Sequence, residues 1–249
     1  MPENLLPVVD DDGNMLDGVS LIIGSSTGTT AGGMGGYRPD RADPKPMLPA
    51  AREPGVPGVI ETLRSATRTR HAKLASCPAM VRLFDTGYSV SEYRFHLGRL
   101  LGLFEPLESA VAAAARPSDP VNSLRRSREL REDLQHMGIT AKEIDKIERC
   151  RRIPLITTAG LPGYTYVILG SLLGGKIISR RLRAVLGPDV SLQFYGNEKT
   201  RYEELWAAFC QDLEANGRNN LPIIRDTAIA LFDLYDGWFS ETPSRTGTL

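Results

Sequence analysis

The sequence predicts an all-α protein, built as a single multi-helix domain behind a disordered N-terminal arm. Apolar residues recur at spacings of three and four through most of the chain after residue 57. No segment alternates convincingly between apolar and polar residues, and Gly and Pro separate the helical segments. We therefore predict a Gly/Pro-rich disordered arm over residues 1–57, a helical domain over 58–240 and a flexible tail over 241–249.

Composition narrows the class of protein. Of the 249 residues, 41% are hydrophobic and 24% charged, which is typical of a soluble globular protein. A formal net charge of zero favours neither nucleic acid nor an acidic membrane as a partner. The three cysteines lie far apart in no CxxC pair, as reduced thiols do, and no apolar run approaches the roughly 18 residues of a membrane span. We expect a cytoplasmic protein.

The predicted arm is rich in Gly, Ser, Thr and Pro, with one short apolar patch at residues 19–23. Such a composition cannot bury enough apolar surface to offset the entropy of the chain. The glycine run at residues 24–36 is followed by neither Lys-Ser nor Lys-Thr, so it does not match a phosphate-binding loop.

The first helix is predicted to begin near Pro57, with Glu61 in its first turn. Its spacing places His71 on the buried stripe, with Arg68 one turn and Arg64 two turns before it. The stripe consists of Leu63, Ala66, Thr67, His71 and Leu74. Taken alone, a histidine on an apolar face is more commonly a core residue than a ligand, and arginines on a helix commonly form a solvated face.

The second long helix starts at a capping box formed by Ser89 and Glu92 and runs to residue 115. His96 lies beside its apolar stripe, in a structural or half-exposed position. A charged amphipathic helix over residues 121–137 follows.

Gly138 is predicted to end that charged helix, and Thr140 to cap the next one, which reaches Arg152. Two further helices are predicted near the C-terminus, over residues 199–216 and 221–240. Tyr202, Leu205, Trp206, Phe209 and Leu213 form the buried stripe of the first. The buried stripe of the second consists of Ile224, Ala228, Leu231, Phe232 and Tyr235.

The segment from Leu161 to Arg183 reads as one helix with an apolar first half and a basic second half. Gly170, Gly174 and Gly175 lie inside it, and each glycine costs roughly 1 kcal/mol against alanine. A helix accepts this cost where another helix packs closely or where a flat ligand lies across the bare backbone. The spacing alone leaves both explanations open.

Two segments resemble motifs of the biliverdin-producing haem oxygenases, particularly the bacterial, bacteriophytochrome-associated type. Residues 63–71 (LRSATRTRH) resemble the proximal-helix motif L-x-x-A-T-x-x-x-H. Residues 166–175 (YVILGSLLGG) resemble the distal-helix motif Y-V-x-x-G-S-x-L-G-G. Weaker similarities lie around Asp133 and Trp206, and the order and separation of all these pieces match over residues 58–240.

This resemblance implies that haem lies between the two helices, with His71 Nε2 as the axial ligand of the iron. Arg64 and Arg68 would lie near the haem propionates. The implied haem-binding residues of the distal helix are Tyr166, Gly170, Ser171, Gly174 and Gly175, of which Gly170, Ser171 and Gly174 form the catalytic face.

The resemblance also implies the reaction, in which haem is both cofactor and substrate. O₂ and an external electron donor, such as ferredoxin or a flavoprotein reductase, convert haem to biliverdin, carbon monoxide and free iron. The donor is expected to dock on the basic second half of the distal helix, at Lys176, Arg180, Arg181 and Arg183.

Three departures from the family pattern leave turnover and the regiochemistry of cleavage open. Ser171 stands where animal members carry Asp, as in the bacterial pattern, and Leu169 stands where bacterial members often carry Glu. Alanines follow Trp206 where many members have a basic residue, which Lys199 or Arg201 would have to replace.

Two other functions remain open from the sequence. One is a haem-binding protein of the same fold that sequesters or senses haem without degrading it. The other is a di-iron oxidase of similar helical architecture, which needs several His and carboxylate ligands on facing helices. The chain supplies only His71, His96 and His136, none in an E-x-x-H spacing.

Overall fold

The computed structural model describes residues 57–196 and 202–241, and all of its regular structure there is helical. The predicted all-α fold class is confirmed over these residues. The helices are α1 Val59–Ala75, α2 Pro78–Arg82, α3 Val90–Ala114, α4 Ser127–His136, α5 Ala141–Asp145, α6 Leu161–Leu186, α7 Gln193–Gly196, α8 Tyr202–Asn216 and α9 Leu221–Ser240. Short 3₁₀ turns cover Pro120–Leu124, Thr158–Gly160 and Arg218–Asn220.

Several expectations fall outside the described part of the chain. They are the disorder of residues 1–56, the apolar patch at 19–23, Lys199, Arg201, the side chain of Tyr202 and the tail from residue 242.

The start of α1 is held by a residue of α8. The backbone N–H groups of Val59 and Ile60 donate to the two carboxylate oxygens of Glu214, each at 3.0 Å. The first amides of a helix have no partner within the helix, and a carboxylate also favours the positive end of the helix dipole. Gly58, which precedes α1, has no side chain to cap it. Glu214 therefore joins the first turn of α1 to α8.

Replacing Glu214 with Gln is expected to lower the free energy of unfolding by about 1–2 kcal/mol, because one of the two amides loses its acceptor and the other keeps only an uncharged one. Urea denaturation followed by circular dichroism measures this loss. Asp212→Asn is the matched control, since Asp212 is an exposed acid of the same helix whose described hydrogen bond goes to Asn216. Its effect should stay within about 0.5 kcal/mol. Equal losses in both variants would contradict the capping role.

The predicted capping box at Ser89 and the predicted helix cap at Thr140 are confirmed, and in the structure Thr140 forms a capping box with Glu143. The helix that begins at Thr140 is shorter than predicted. It ends at Asp145 rather than near Arg152. Beyond it, the Cys150 N–H donates to the Gly102 carbonyl at 2.8 Å. A Cβ at Gly102 would lie only 2.2 Å from the Glu148 carbonyl oxygen. The helix ends at Asp145 because the residues that follow it, up to Cys150, pack directly against the backbone of α3.

The predicted helix over residues 121–137 is also divided in the structure. A 3₁₀ turn ends at Leu124, and α4 starts at Ser127. Glu108, buried on α3, accepts the backbone N–H groups of Arg126 at 2.5 Å and Ser127 at 3.0 Å. A carboxylate distant in sequence therefore fixes where α4 begins. The short helix α2 was not predicted.

The two C-terminal helices follow their predicted patterns with one exception. Leu213 is buried, and Trp206 and Phe209 are half-buried, but Leu205 is exposed. Leu205 lies about 100° around the helix from Trp206, which takes the inward position. The predicted stripe of α9 is confirmed, with Ile224, Ala228, Leu231, Phe232 and Tyr235 buried.

One helical stretch, residues 158–186, is long and apolar enough to cross a membrane by length and composition alone. No membrane span was predicted from the sequence. More than half of its apolar window is buried inside the protein, and the core helix of a soluble protein passes the same test.

Candidate functional site

A cavity of about 370 Å³ lies along α6, within the size range of small-molecule sites. Its lining on α6 extends from Tyr166 to Ile178, a length of about 18 Å at 1.5 Å per residue. Most of the other lining side chains are apolar or aromatic, and they come from α1, α3, α7, α8, α9 and the α2 region. The cavity is therefore long and mostly apolar.

The two sequence motifs meet at this cavity. His71 of α1 lines it together with the α6 residues Tyr166, Gly170, Ser171, Gly174 and Gly175. Arg64 and Arg68 are not among the lining residues. Trp206 lines it, whereas Leu169 does not.

His71 presents a neutral imidazole to the cavity. Burial lowers the pKa of His71, which keeps the ring uncharged at neutral pH. The ring packs edge-on against Phe232, with centroids 5.7 Å apart and planes at 77°. Neither ring nitrogen has a hydrogen-bond partner among the described residues. A neutral imidazole with a free nitrogen is the form that binds iron.

Gly170 and Gly175 of α6 have different surroundings in the structure. A Cβ added at Gly170 meets no atom within 4 Å, so close helix packing does not explain this glycine. A Cβ at Gly175 would lie 3.2 Å from the carbonyl oxygen of Tyr195, so packing does explain that one. At Gly170 the bare backbone faces open space, as the ligand explanation requires.

Ser171 is poorly placed to contact a ligand through its hydroxyl. The side chain is exposed, and its Oγ donates to the Ile168 carbonyl of the same helix at 2.7 Å. The one hydroxyl hydrogen of Ser171 is therefore used within α6.

Arg64 lies near the Tyr166 end of the cavity. Its Nε is buried and has no hydrogen-bond partner among the described residues. Burial raises the pKa of Tyr166, and the nearby Arg64 charge acts in the opposite direction. The Tyr166 phenol oxygen is 3.4 Å from Thr67 Oγ1. An unpaired guanidinium N–H here suits a carboxylate. Arg68 is exposed.

A polar pair that was not predicted from the sequence lies behind the cavity wall. Of the two positions predicted for His96, structural or half-exposed, the structure shows the first: His96 is buried on the face of α3 that meets Tyr195 of α7. Its Nε2 lies 2.7 Å from the Tyr195 phenol oxygen, and Tyr195 lines the cavity. Phe232 and Tyr235 of α9 also line the cavity. Their place on the apolar stripe of α9 was the only sequence signal for them.

Burial of His96 predicts a loss of stability in acid. Its pKa falls from 6.5 to about 4 because burial disfavours the charged ring, so the folded state binds fewer protons than the unfolded state between these values. Stability should therefore decrease as pH falls from 6.5 to about 4, by roughly 3 kcal/mol in total from this residue.

The measurement is urea denaturation of the wild type and His96→Gln at pH 7.5 and pH 5. The variant should lose less stability between the two pH values, and the comparison cancels the contributions of other groups. Replacing the exposed His136 with Gln is the control and should leave the wild-type pH dependence unchanged. An unaltered pH dependence in His96→Gln would contradict the prediction.

The mouth of the cavity is apolar and lies beside the basic half of α6. Val81 and Phe84 both line the cavity and are exposed. The guanidinium of Arg181 donates to the Phe84 carbonyl through Nε at 3.2 Å and Nη2 at 2.8 Å. Lys176, Arg180 and Arg183 are exposed on the same half of α6.

A di-iron site would consist of several metal-ligating side chains that lie close together. Within the described part of the chain, no group of three or more His, Cys, Asp or Glu side chains is placed to hold a metal ion. The di-iron alternative requires such a group, so the structure gives it no support.

Comparison with known proteins places the chain in a family. A family model described as "Heme oxygenase" matches residues 58–241. No curated protein sequence matches the chain significantly. Among solved structures, the chain is similar to a heme oxygenase from Leptospira interrogans. That match has a TM-score of 0.54 and 20% identity, and it covers 74% of this chain and 100% of the other. At this identity the structural match shows the fold alone.

Proposed function

Because the chain belongs to the haem oxygenase family, we propose that it cleaves haem to biliverdin, carbon monoxide and free iron, as the bacterial type does. O₂ is the oxidant and an external donor supplies the electrons. Family membership supports haem binding, O₂ use and a haem-degrading function in general. The proposal for this chain rests chiefly on one observation: the imidazole of His71 and the bare backbone at Gly170 face the same cavity.

The residues of the cavity fit haem. His71 supplies an uncharged nitrogen, and Phe232 packs against its ring. The open space at Gly170 leaves room for a flat ring beside α6. Haem supplies the iron that activates O₂ and the ring that is oxidised. The apolar side chains around it exclude water, which protects the bound substrate from side reactions.

The carboxylates of haem are proposed to lie at the Tyr166 end. The unpaired Nε of Arg64 is buried there and gains a partner when a carboxylate approaches. Arg68 is exposed and provides longer-range attraction only. The opposite end, around Ile178, is apolar at Val81 and Phe84 and offers no charged partner in the lining.

The electron donor is proposed to dock beside the mouth of the cavity. Lys176, Arg180 and Arg183 present positive charge there, next to the exposed Val81 and Phe84. This surface suits a donor with an acidic face, such as ferredoxin or a flavoprotein reductase, and its association should weaken with salt. Arg181 donates to the Phe84 carbonyl.

The free thiols of Cys77, Cys150 and Cys210 support a cytoplasmic location.

A haem-binding protein without turnover is the second candidate. The Ser171 hydroxyl is bonded within α6, and Leu169 provides no carboxylate. The α6 side of the site therefore lacks the acidic group that other members carry there. This observation favours haem retention over cleavage.

Aerobic reduction of the haem complex distinguishes the two. The purified protein is mixed with one equivalent of ferric haem, and ascorbate or reduced ferredoxin is then added in air. Replacement of the haem spectrum by that of biliverdin, with one carbon monoxide released per haem, supports the proposed reaction. A haem spectrum that persists supports sequestration or sensing. Failure to take up haem contradicts both.

A further inference from the structure

Tyr195 and His96 form a hydrogen-bonded pair on the α6 side of the cavity. The phenol oxygen of Tyr195 is 2.7 Å from His96 Nε2, and the two rings are nearly parallel, with planes at 19°. Tyr195 lines the cavity, whereas His96 lies behind it on α3 and is not part of the lining. The pair therefore connects the cavity wall to a buried imidazole.

The backbone that carries Tyr195 is fixed independently of this pair. The buried Asp133 carboxylate accepts the N–H groups of Gln193 at 2.7 Å and Phe194 at 2.9 Å. The Tyr195 carbonyl packs on α6 at Gly175. With the backbone held by these contacts, the contact with His96 decides where the phenol oxygen lies.

Packing alone does not require a polar pair at this position. Phenylalanine and leucine would fill the same space without the cost of burying polar groups. Neutral histidine carries one N–H, and a phenol carries one O–H and two acceptor positions. When His96 Nε2–H donates to the phenol oxygen, the phenol O–H stays free. Neither group has another hydrogen-bond partner among the described residues.

The other hydroxyls on the cavity are less suited to hold a ligand on this side. The hydroxyl of Ser171 is used within its own helix. The hydroxyl of Tyr166 lies at the far end of the cavity, near Thr67. Tyr235 has no hydrogen bond to fix its phenol among the described residues. Tyr195 alone of these combines a place in the lining with a buried anchor.

We propose that Tyr195 is the hydrogen-bond donor of the α6 side of the cavity, and that His96 is the positioning residue that fixes its phenol. The donor would hold a water molecule or small ligand on the haem face opposite His71. This inference rests on the proposed function. The charged and titratable groups that face Tyr195 are Arg126, Asp133 and Tyr88.

The first test uses the apoprotein, so that it needs no haem. Nitrogen-15 NMR of the histidine rings reports which nitrogen of His96 carries the proton. The inference predicts the Nε2–H form. The Nδ1–H form would overturn it, because the phenol would then have to donate to His96 and would have no hydrogen left for the cavity.

The second test follows the acid–base transition of water bound to ferric haem, by absorption spectroscopy of the full chain. A phenol that donates to bound hydroxide stabilises it, so Tyr195→Phe should raise the midpoint by about 0.5 to 1 pH unit. His96→Leu should shift it in the same direction. His96→Gln should stay near the wild type, because its amide N–H replaces the imidazole donor.

The controls separate this inference from the proposed function. Thermal unfolding of the apoproteins shows whether Tyr195→Phe remains folded; because the ring is retained, we expect it to do so. A wild-type transition that is unchanged in Tyr195→Phe overturns the inference while leaving haem cleavage intact. A wild-type chain that takes up no haem overturns the proposed function and, with it, this inference.

Discussion

Replacing His71 with Ala is expected to remove the histidine ligand from the haem iron and to weaken haem binding at least about 100-fold. Loss of a residue that merely orients a metal ligand already costs 10- to 100-fold, so loss of the ligand itself should cost more. The Soret band should lose its histidine-ligated character. Haem titration followed by absorption spectroscopy measures both effects. The fold should persist, since the half-buried His71 has no hydrogen bond to lose among the described residues.

Two controls make this prediction specific. Exogenous imidazole should restore the histidine-type spectrum in His71→Ala, because the substitution leaves space beside the iron. His136→Ala should bind haem like the wild type, since His136 is exposed on α4 and contacts the Glu132 carbonyl. A spectrum altered in His96→Ala or His136→Ala but unaltered in His71→Ala would contradict the assignment of the ligand.

Replacing Gly170 with Leu should abolish haem binding while leaving the apoprotein folded. The new side chain would enter the open space beside α6, where no atom lies within 4 Å of the added Cβ. Leucine favours the helix over glycine by about 1 kcal/mol, so thermal unfolding should show an apoprotein at least as stable as the wild type. Haem affinity and apoprotein stability should thus change in opposite directions.

Gly102→Ala is the matched control, since Gly102 is also a helical glycine. Its Cβ would lie 2.2 Å from the Glu148 carbonyl oxygen, so we expect a loss of about 1–3 kcal/mol in the free energy of unfolding. If Gly170→Leu also destabilised the apoprotein, or if it bound haem like the wild type, the cavity would not lie where the structure places it.

Local sequence signals predicted the elements that local interactions determine. The helix caps at Ser89 and Thr140 and the apolar stripe of α9 depend on residues a few positions apart, and the structure contains them. The boundaries that were wrong depend on distant partners. Glu108 fixes the start of α4 by accepting the N–H of Ser127. The chain that follows α5 is not helical, because Cys150 donates its N–H to the Gly102 carbonyl of α3.

The candidate site also contains features that local sequence patterns predict and features that depend on contacts between distant residues. The family resemblance brought His71 and the glycines of α6 to attention, and the structure places them on one cavity. Spacing did not separate Gly170 from Gly175, because the difference lies in which of them faces Tyr195. The pairing of His96 with Tyr195 joins residues 99 positions apart, and no local pattern marks such a contact.

The structure of the haem complex is the most direct test of the central claim that haem lies between α1 and α6. We expect His71 Nε2 to bind the iron and the other face of the ring to lie against the backbone at Gly170. We also expect the haem carboxylates to be directed toward Arg64 and Tyr166. Iron bound by another residue, or a haem that does not contact α6 at Gly170, would show that haem binds elsewhere.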